Sequence, residues 1–167
     1  RFHAVAFENV LSAEVHLAMV MGEVETEEPV LVRVHTANIT GDVFGSLMDD
    51  TNFQLHTALE KIASEGRGVV LYLKQHQHGL DLIHQLRTYA LMHERGLTFD
   101  EASVETNYGA NRGYGVGAQI LHELGLRRIR LLTNHPPKVT ALEGFELEVV
   151  GHVPLGSPAK ETSNAER

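Results

Sequence analysis

From residue 53 onward the apolar residues switch between two spacings, and that switching limits the fold more than any other feature. Phe53, His56, Leu59, Ile62 and Ala63 recur at helical spacing, and the pattern stops at Gly66. Gly68-Val69-Val70-Leu71-Tyr72-Leu73 then runs unbroken, the mark of a strand covered on both faces. Leu80 to His93 predicts a second amphipathic helix through Leu80, Ile83, Leu86, Ala90 and Leu91, ending near Gly96. Val116 to Leu124 predicts a third, closed by Gly125, followed by a strand over Arg128 to Thr133. Pro136 and Pro137 suit the first turn of a short helix reaching Leu142, and Glu146 to Val150 reads as the last strand. Strands alternating with helices predict parallel pairing through crossover helices.

The first third reads differently. Glu14 to Met21 alternates, with Val15, Leu17, Met19 and Met21 on one side, and Val30 to His35 is a β-branched run. The acidic turn Glu23 to Pro29 between them suggests that the two strands pair antiparallel. The expected fold is therefore α/β, with an N-terminal antiparallel β segment followed by alternating strands and helices. A chain of 167 residues fits one domain, read here as residues 1–156, with a polar tail over residues 157–167.

Charge and composition exclude several function classes. A formal charge of −8 disfavours a broad nucleic-acid groove but leaves scope for a local basic pocket around a small phosphorylated ligand. The absence of cysteine removes disulfides, thiolate nucleophiles and every Cys-based metal site. No apolar run approaches the ~20 residues of a membrane span. The opening Arg1-Phe2-His3 has neither an initiator Met nor a signal-peptide core. The expectation is a soluble, cytoplasmic domain cut from a longer polypeptide, without nucleic-acid or membrane partners.

Several residues are candidates for chemistry. His76-Gln77-His78 looks like a metal or acid–base cluster, but loop polarity or ligand contact is the reading that its spacing favours. His84 and His93 lie nine residues apart and make no i, i+4 ligand pair, while His56 is expected in the core. Asp42, Asp49 and Asp50 offer hard oxygens for Mg²⁺, or form a solvated acidic loop. Gly109 to Gly117 is glycine-rich, with Arg112 and Tyr114 inside it, a composition that suits backbone approach to an anion. Thr133-Asn134-His135-Pro136-Pro137-Lys138 follows a strand, where open α/β sheets bind ligands, and Thr133 and Lys138 suit ligand oxygens.

Arg33-Val34-His35-Thr36, Thr40-Gly41-Asp42-Val43-Phe44-Gly45-Ser46-Leu47, Phe53-Gln54-Leu55, Glu65-Gly66-Arg67-Gly68, Leu86-Arg87-Thr88-Tyr89-Ala90-Leu91, Gly117-Ala118-Gln119-Ile120-Leu121 and Leu131-Leu132-Thr133-Asn134 together carry a resemblance. Taken in order along the chain, they resemble GTP cyclohydrolase II of riboflavin biosynthesis. The resemblance implies an enzyme that opens guanine's imidazole ring, releasing formate and pyrophosphate. It also implies a three-Cys zinc site, an arginine acting on the α-phosphate, an aspartate base and a tyrosine.

The carry-over is uneven. The zinc cysteines fall on Asn38, Asp49 and Thr51, and the Gln-Glu-Gly-Arg stretch on Gln75-His76-Gln77-His78. The Asp-x-Arg-x-Tyr loop becomes Ala110-Asn111-Arg112-Gly113-Tyr114, so the base is an alanine. Arg33, Gln54, Tyr89, Arg112, Thr133 and Lys138 survive. The resemblance then implies catalytic positions at Arg112 and Tyr89, and ligand contacts at Arg33, Gln54, His76, His78, Thr133 and Lys138. Zinc is not expected, because an Asn–Asp–Thr set is a poor zinc site; Mg²⁺ would enter only with a nucleotide. The expected role is a nucleotide- or phosphate-binding domain without ring opening, structural or regulatory, in a homodimer and fused behind a 3,4-dihydroxy-2-butanone 4-phosphate synthase domain. The alternative is a metal-dependent nucleotide hydrolase that releases pyrophosphate through Arg112 and Tyr89.

Overall fold

A computed structural model of the chain describes residues 1–74, 81–108, 114–135 and 145–158. The elements in order are β1 (His3–Glu8), β2 (Val15–Met21), β3 (Val30–Thr36), a π-helical turn (Ile39–Val43), α1 (Thr51–Glu65), β4 (Gly68–Leu73), α2 (Asp81–Arg95), α3 (Phe99–Thr106), α4 (Tyr114–Glu123), β5 (Arg128–Leu132) and β6 (Glu148–Val153). The strands form one six-stranded sheet in the order β1-β2-β4-β3-β5-β6. β4, β3, β5 and β6 run parallel to one another, and β1 and β2 extend the sheet antiparallel beyond β4. The α/β expectation holds, including an antiparallel N-terminal segment.

The sheet is covered on both sides, which explains its unbroken apolar strands. Val30, Val32, Val69, Leu71 and Leu73 face α4 and pack with Ile120, Leu121 and Leu126. Leu31, Val70 and Leu132 face the other way and pack with Ala58 and Ile62 of α1. Each such fully buried aliphatic side chain stabilises the fold by about 1.5–3 kcal/mol. α1 stops where Gly66 takes a left-handed φ of 79° and its N–H bonds the Ile62 carbonyl. Among the described residues no helix is long and apolar enough to cross a membrane.

Four expectations are corrected. β2 and β3 do not pair: β2 lies between β1 and β4, and β3 lies between β4 and β5. The short run His3–Glu8 supplies β2 with its hairpin partner, and the acidic connection carries the chain past β4. His56 is exposed rather than in the core. α2 buries the polar residues Gln85, Thr88 and Tyr89, while Ile83 and Leu86 of its apolar stripe, and Leu82 beside them, are exposed. The last strand begins at Glu148, two residues late, because Glu146 sits in a left-handed turn at φ 56°. One helix went unread: α3, whose Thr98 and Glu101 form a reciprocal capping box. The proposed helix from Pro136 to Leu142 lies outside the described residues.

β2 also carries a buried histidine. His16 is 1% exposed, and neither ring nitrogen has a partner among the described residues. Burial lowers its pKa from the ordinary 6.5, against an opposing pull from the Glu14 charge. The unfolded chain therefore takes up the proton first, and stability falls as pH drops below about 6.5. His16→Leu is expected to flatten that acid limb and to raise stability by about 1 kcal/mol near neutrality. Urea unfolding at pH 8 and pH 5.5 checks this; an unchanged acid slope would reject it.

Candidate functional site

β3 lies between β4 and β5, whose preceding helices pack on opposite faces of the sheet. The α1 crossover to β4 lies on one face, and α4 leads into β5 on the other. Open α/β sheets have a crevice at such a point, outside the carboxyl ends of the strands. Here that crevice is a cleft of about 550 Å³. Arg33, Gln54 and Thr133 line it together with Asn38, Asp49, Asp50 and Thr51, and Phe99 and Tyr108 add an aromatic wall.

Arg33 is the cleft's cation. Alternation along β3 turns it to the α1 face, between Gln54 and the end of β5. Its Nη1 donates to the Leu132 carbonyl at 3.1 Å, and its Nη2 donates to Gln54 Oε1 at 2.6 Å. Its Nε has no partner among the described residues. Burial pulls its pKa down against the charges of Asp50 and Asp42, yet a guanidinium stays charged at any physiological pH. Asp50 accepts from Gln54 Nε2, which turns the Gln54 carbonyl oxygen toward Arg33. The Thr133 hydroxyl closes a local turn with the His135 backbone at the cleft rim.

Beside the cleft, His35 and Asp42 form a buried pair. His35 Nε2 lies 2.9 Å from Asp42 Oδ1, and the Tyr72 ring stacks on the imidazole with centroids 5.5 Å apart. The Tyr72 hydroxyl donates to Asp42 Oδ2 at 2.8 Å, and the Asn38 amide donates to the same oxygen at 2.9 Å. Burial alone would raise the Asp42 carboxyl. The His35 bond, the Asn38 amide, the charge of His35 and the Tyr72 hydroxyl outweigh it and hold the carboxyl below its ordinary value. Nε2 donates to Asp42 Oδ1, and the His35 Nδ1 is buried without a partner among the described residues.

Asn38, Asp49 and Thr51 do come together, but as partners of one another. Asn38 Nδ2 donates to Asp49 Oδ2 at 2.8 Å, and Thr51 Oγ1 donates to Asp49 Oδ1 at 2.8 Å. Asn38 Oδ1 accepts from the Gly41 amide at 3.0 Å, from Thr40 Oγ1 at 2.9 Å and from Gln85 Nε2 at 2.6 Å. The Tyr89 hydroxyl donates to Asp49 Oδ2 and accepts from Gln85 Nε2 at 2.8 Å. Burial, then the Asp49 bond, raises the Tyr89 pKa. This donor set does not fit zinc: it holds one carboxylate, and the Asn38 amide group aims hydrogens at it. Among the described residues no three His, Asp or Glu side chains cluster as a metal site would need.

The structure thus brings Arg33, Gln54 and Thr133 to one cleft and sets Tyr89 behind it, against Asp49. Asp42 lies with His35 and Tyr72, apart from Asp49 and Asp50, so the three carboxylates do not share a Mg²⁺ position. His76, His78, Arg112 and Lys138 lie outside the described residues. Tyr72 and Gln85 were missed: a tyrosine inside a buried strand and a glutamine inside a helix carry no local signal of their partners.

The family model described as GTP cyclohydrolase II matches residues 1–154. The riboflavin biosynthesis protein RibBA of Bacillus cytotoxicus is 50% identical over 161 residues, covering 96% of this chain and 40% of the relative. RibBA of Bacillus mycoides is also 50% identical, with the same 96% and 40% coverage. The chain therefore spans about two-fifths of the length of these relatives. A solved two-domain 3,4-dihydroxy-2-butanone 4-phosphate synthase, RibBX from A. baumannii, is similar at 24% identity with a TM-score of 0.49. That likeness covers 93% of this chain and 36% of the other.

Proposed function

The chain belongs to the GTP cyclohydrolase II family, and from that premise we propose that it serves riboflavin biosynthesis by holding a phosphorylated ligand, a nucleotide foremost, without opening the purine ring. One observation carries the reading. The half-buried Arg33 guanidinium faces the cleft with Gln54, while the three positions where the family holds zinc are spent on each other. Cleaving guanine's imidazole ring needs a water made nucleophilic at neutral pH, the chemistry a zinc ion supplies. Asn38, Asp49 and Thr51 offer no soft donors for that ion, and the family's base position is Ala110.

The residues divide the work by chemistry. Arg33 supplies charge and a forked donor set suited to phosphate oxygens. Gln54, held by Asp50, keeps that fork aimed. Thr133 adds a hydroxyl at the rim, and Phe99 and Tyr108 shield the cleft with apolar surface. Arg112, Lys138, His76 and His78 belong to the same reading through the resemblance. Pyrophosphate release through Arg112 and Tyr89 is less well supported, since the Tyr89 hydroxyl is committed to Asp49. Fusion to an N-terminal synthase domain and a cytoplasmic homodimer complete the reading. The 40% share of the RibBA relatives supports the fusion. The exposed Leu82, Ile83 and Leu86 of α2 support self-association, which sedimentation of the full natural polypeptide would read.

Thermal shift and calorimetry with GTP, inorganic pyrophosphate and ribulose 5-phosphate test the site. At least one of them is expected to raise the melting temperature by mass action. Arg33→Ala should weaken that ligand on the order of ten- to a hundredfold, the weight of a charge-assisted hydrogen bond pair. Formate release from GTP at a rate set by enzyme concentration would reject the loss of ring opening. Equal affinity in Arg33→Ala would reject the site.

A further inference from the structure

The geometry points to a metal-free latch: Asn38, Asp49, Thr51, Gln85 and Tyr89 do by hydrogen bonding the cross-linking that zinc does in the family. This inference rests on the family assignment and on the unfit of the donor set for zinc, but not on which ligand the cleft takes. Three segments distant in sequence meet here. Asn38 caps the π-helical turn, Asp49 and Thr51 stand at the start of α1, and Gln85 and Tyr89 come from α2. A zinc ion joins segments by sharing its coordination among them. Here one carboxylate takes that central place.

The four acceptor sites of Asp49 are all filled. Oδ1 takes the Thr51 hydroxyl at 2.8 Å and the Thr51 amide at 3.2 Å. Oδ2 takes the Asn38 amide group at 2.8 Å and the Tyr89 hydroxyl. Asn38, 6% exposed, answers with an oxygen that accepts three hydrogen bonds. Gln85, 3% exposed, bridges Asn38 to Tyr89 through its Nε2. A network in which every member is satisfied holds its segments firmly, and a half-satisfied one does not. The latch also accounts for α2. The helix turns Gln85 and Tyr89 inward toward partners at Asn38, Thr40 and Asp49, and Thr88 inward toward Thr106 of α3, which leaves its apolar stripe outside. Tyr89, which the resemblance casts as catalytic, becomes a positioning residue that binds α2 to the start of α1.

The test uses the full natural polypeptide. Metal analysis should find far less than one zinc per chain, and EDTA should leave the melting temperature unchanged. Asp49→Ala should lower it by about 5–10 °C, and Tyr89→Phe, which removes one hydroxyl, by a few degrees. Tyr89→Phe decides the matter if Asp49→Ala does not fold. The triple variant Asn38→Cys, Asp49→Cys, Thr51→Cys should bind one Co²⁺ per chain with thiolate charge-transfer absorption, and its melting temperature should then fall with EDTA.

Near-stoichiometric zinc or chelator-sensitive melting in the wild type would overturn the latch. So would wild-type stability in both single variants, or a folded triple variant that takes no Co²⁺. Stable single variants in a zinc-free protein that still binds phosphate would sink the latch alone. Formate release from GTP by a zinc-free protein would sink the functional reading and spare the latch.

Discussion

Asp42→Ala is expected to destabilise the protein by about 3–5 kcal/mol, because it strips the acceptor from three hydrogen-bond donors packed around one buried carboxylate. The Asp42 side chain is 3% exposed and accepts from His35 Nε2, the Asn38 amide and the Tyr72 hydroxyl. Truncation leaves all three donors without their acceptor. Each such buried group costs about 1–3 kcal/mol, less whatever an entering water restores. Asp42→Asn keeps the shape and half of the acceptors, so it should fall between the two.

The pH dependence has a definite sign. The folded carboxyl lies below its ordinary value, so the unfolded chain binds the proton first as acid is added. The pair's contribution is full above the ordinary aspartate pKa and is lost as pH falls through the folded one. Denaturant unfolding at pH 7 and pH 3 should show wild type losing this share in acid and Asp42→Ala losing little, having none left to lose. A pH 7 stability within 1 kcal/mol of wild type would mean that the pair is not structural.

That pair marks the boundary of what the chain discloses by itself. α1, β4, α4 and β5 were legible because each has its own punctuation: Gly66 and Gly125 end helices, Val69 to Leu73 runs apolar after the first, and Ile129, Leu131 and Leu132 mark the strand after the second. Strand order was not legible, since pairing depends on which edges remain free. β1, six residues long, took the edge of β2 that β3 had been expected to fill. α2 shows the limit of periodicity. Its apolar stripe is real, but the buried face was chosen by hydrogen bonds to residues 40 to 49 positions away in sequence, such as Asn38 with Gln85 and Asp49 with Tyr89.

The candidate site divides in the same way. Arg33, Gln54 and Thr133 carried recognisable motifs and meet in the cleft. Asn38, Asp49 and Thr51 were placed by resemblance, and their convergence is real. What no spacing disclosed is that they satisfy one another, because that depends on the directions in which three short side chains point. α3 had a local signal in Thr98 and Glu101, and reading it would have brought Phe99 to the cleft wall in advance.

Gly41→Ala should destabilise by about 2–4 kcal/mol, through crowding rather than backbone strain. Gly41 is buried in the π-helical turn, and its backbone is not left-handed. A Cβ there would stand 1.9 Å from Thr51 Oγ1, 2.7 Å from Asp49 Oδ1 and 3.3 Å from Asn38 Nδ2. The first two are shorter than any van der Waals contact, so the methyl must drive Thr51 and Asp49 apart. Overpacking of this kind costs about 1–3 kcal/mol, and the broken Thr51–Asp49 bond adds about 1. Gly151→Ala, where a new methyl meets nothing within 4 Å, is the control and should stay within about 0.5 kcal/mol of wild type.

A double-mutant cycle locates the clash. Thr51→Ala removes the oxygen that the methyl strikes, so Gly41→Ala should cost less in that background, with a coupling of about 1–2 kcal/mol. If the two substitutions instead add, the methyl is being absorbed elsewhere. The close approach of the π-helical turn to the start of α1 would then not be what excludes a side chain at Gly41.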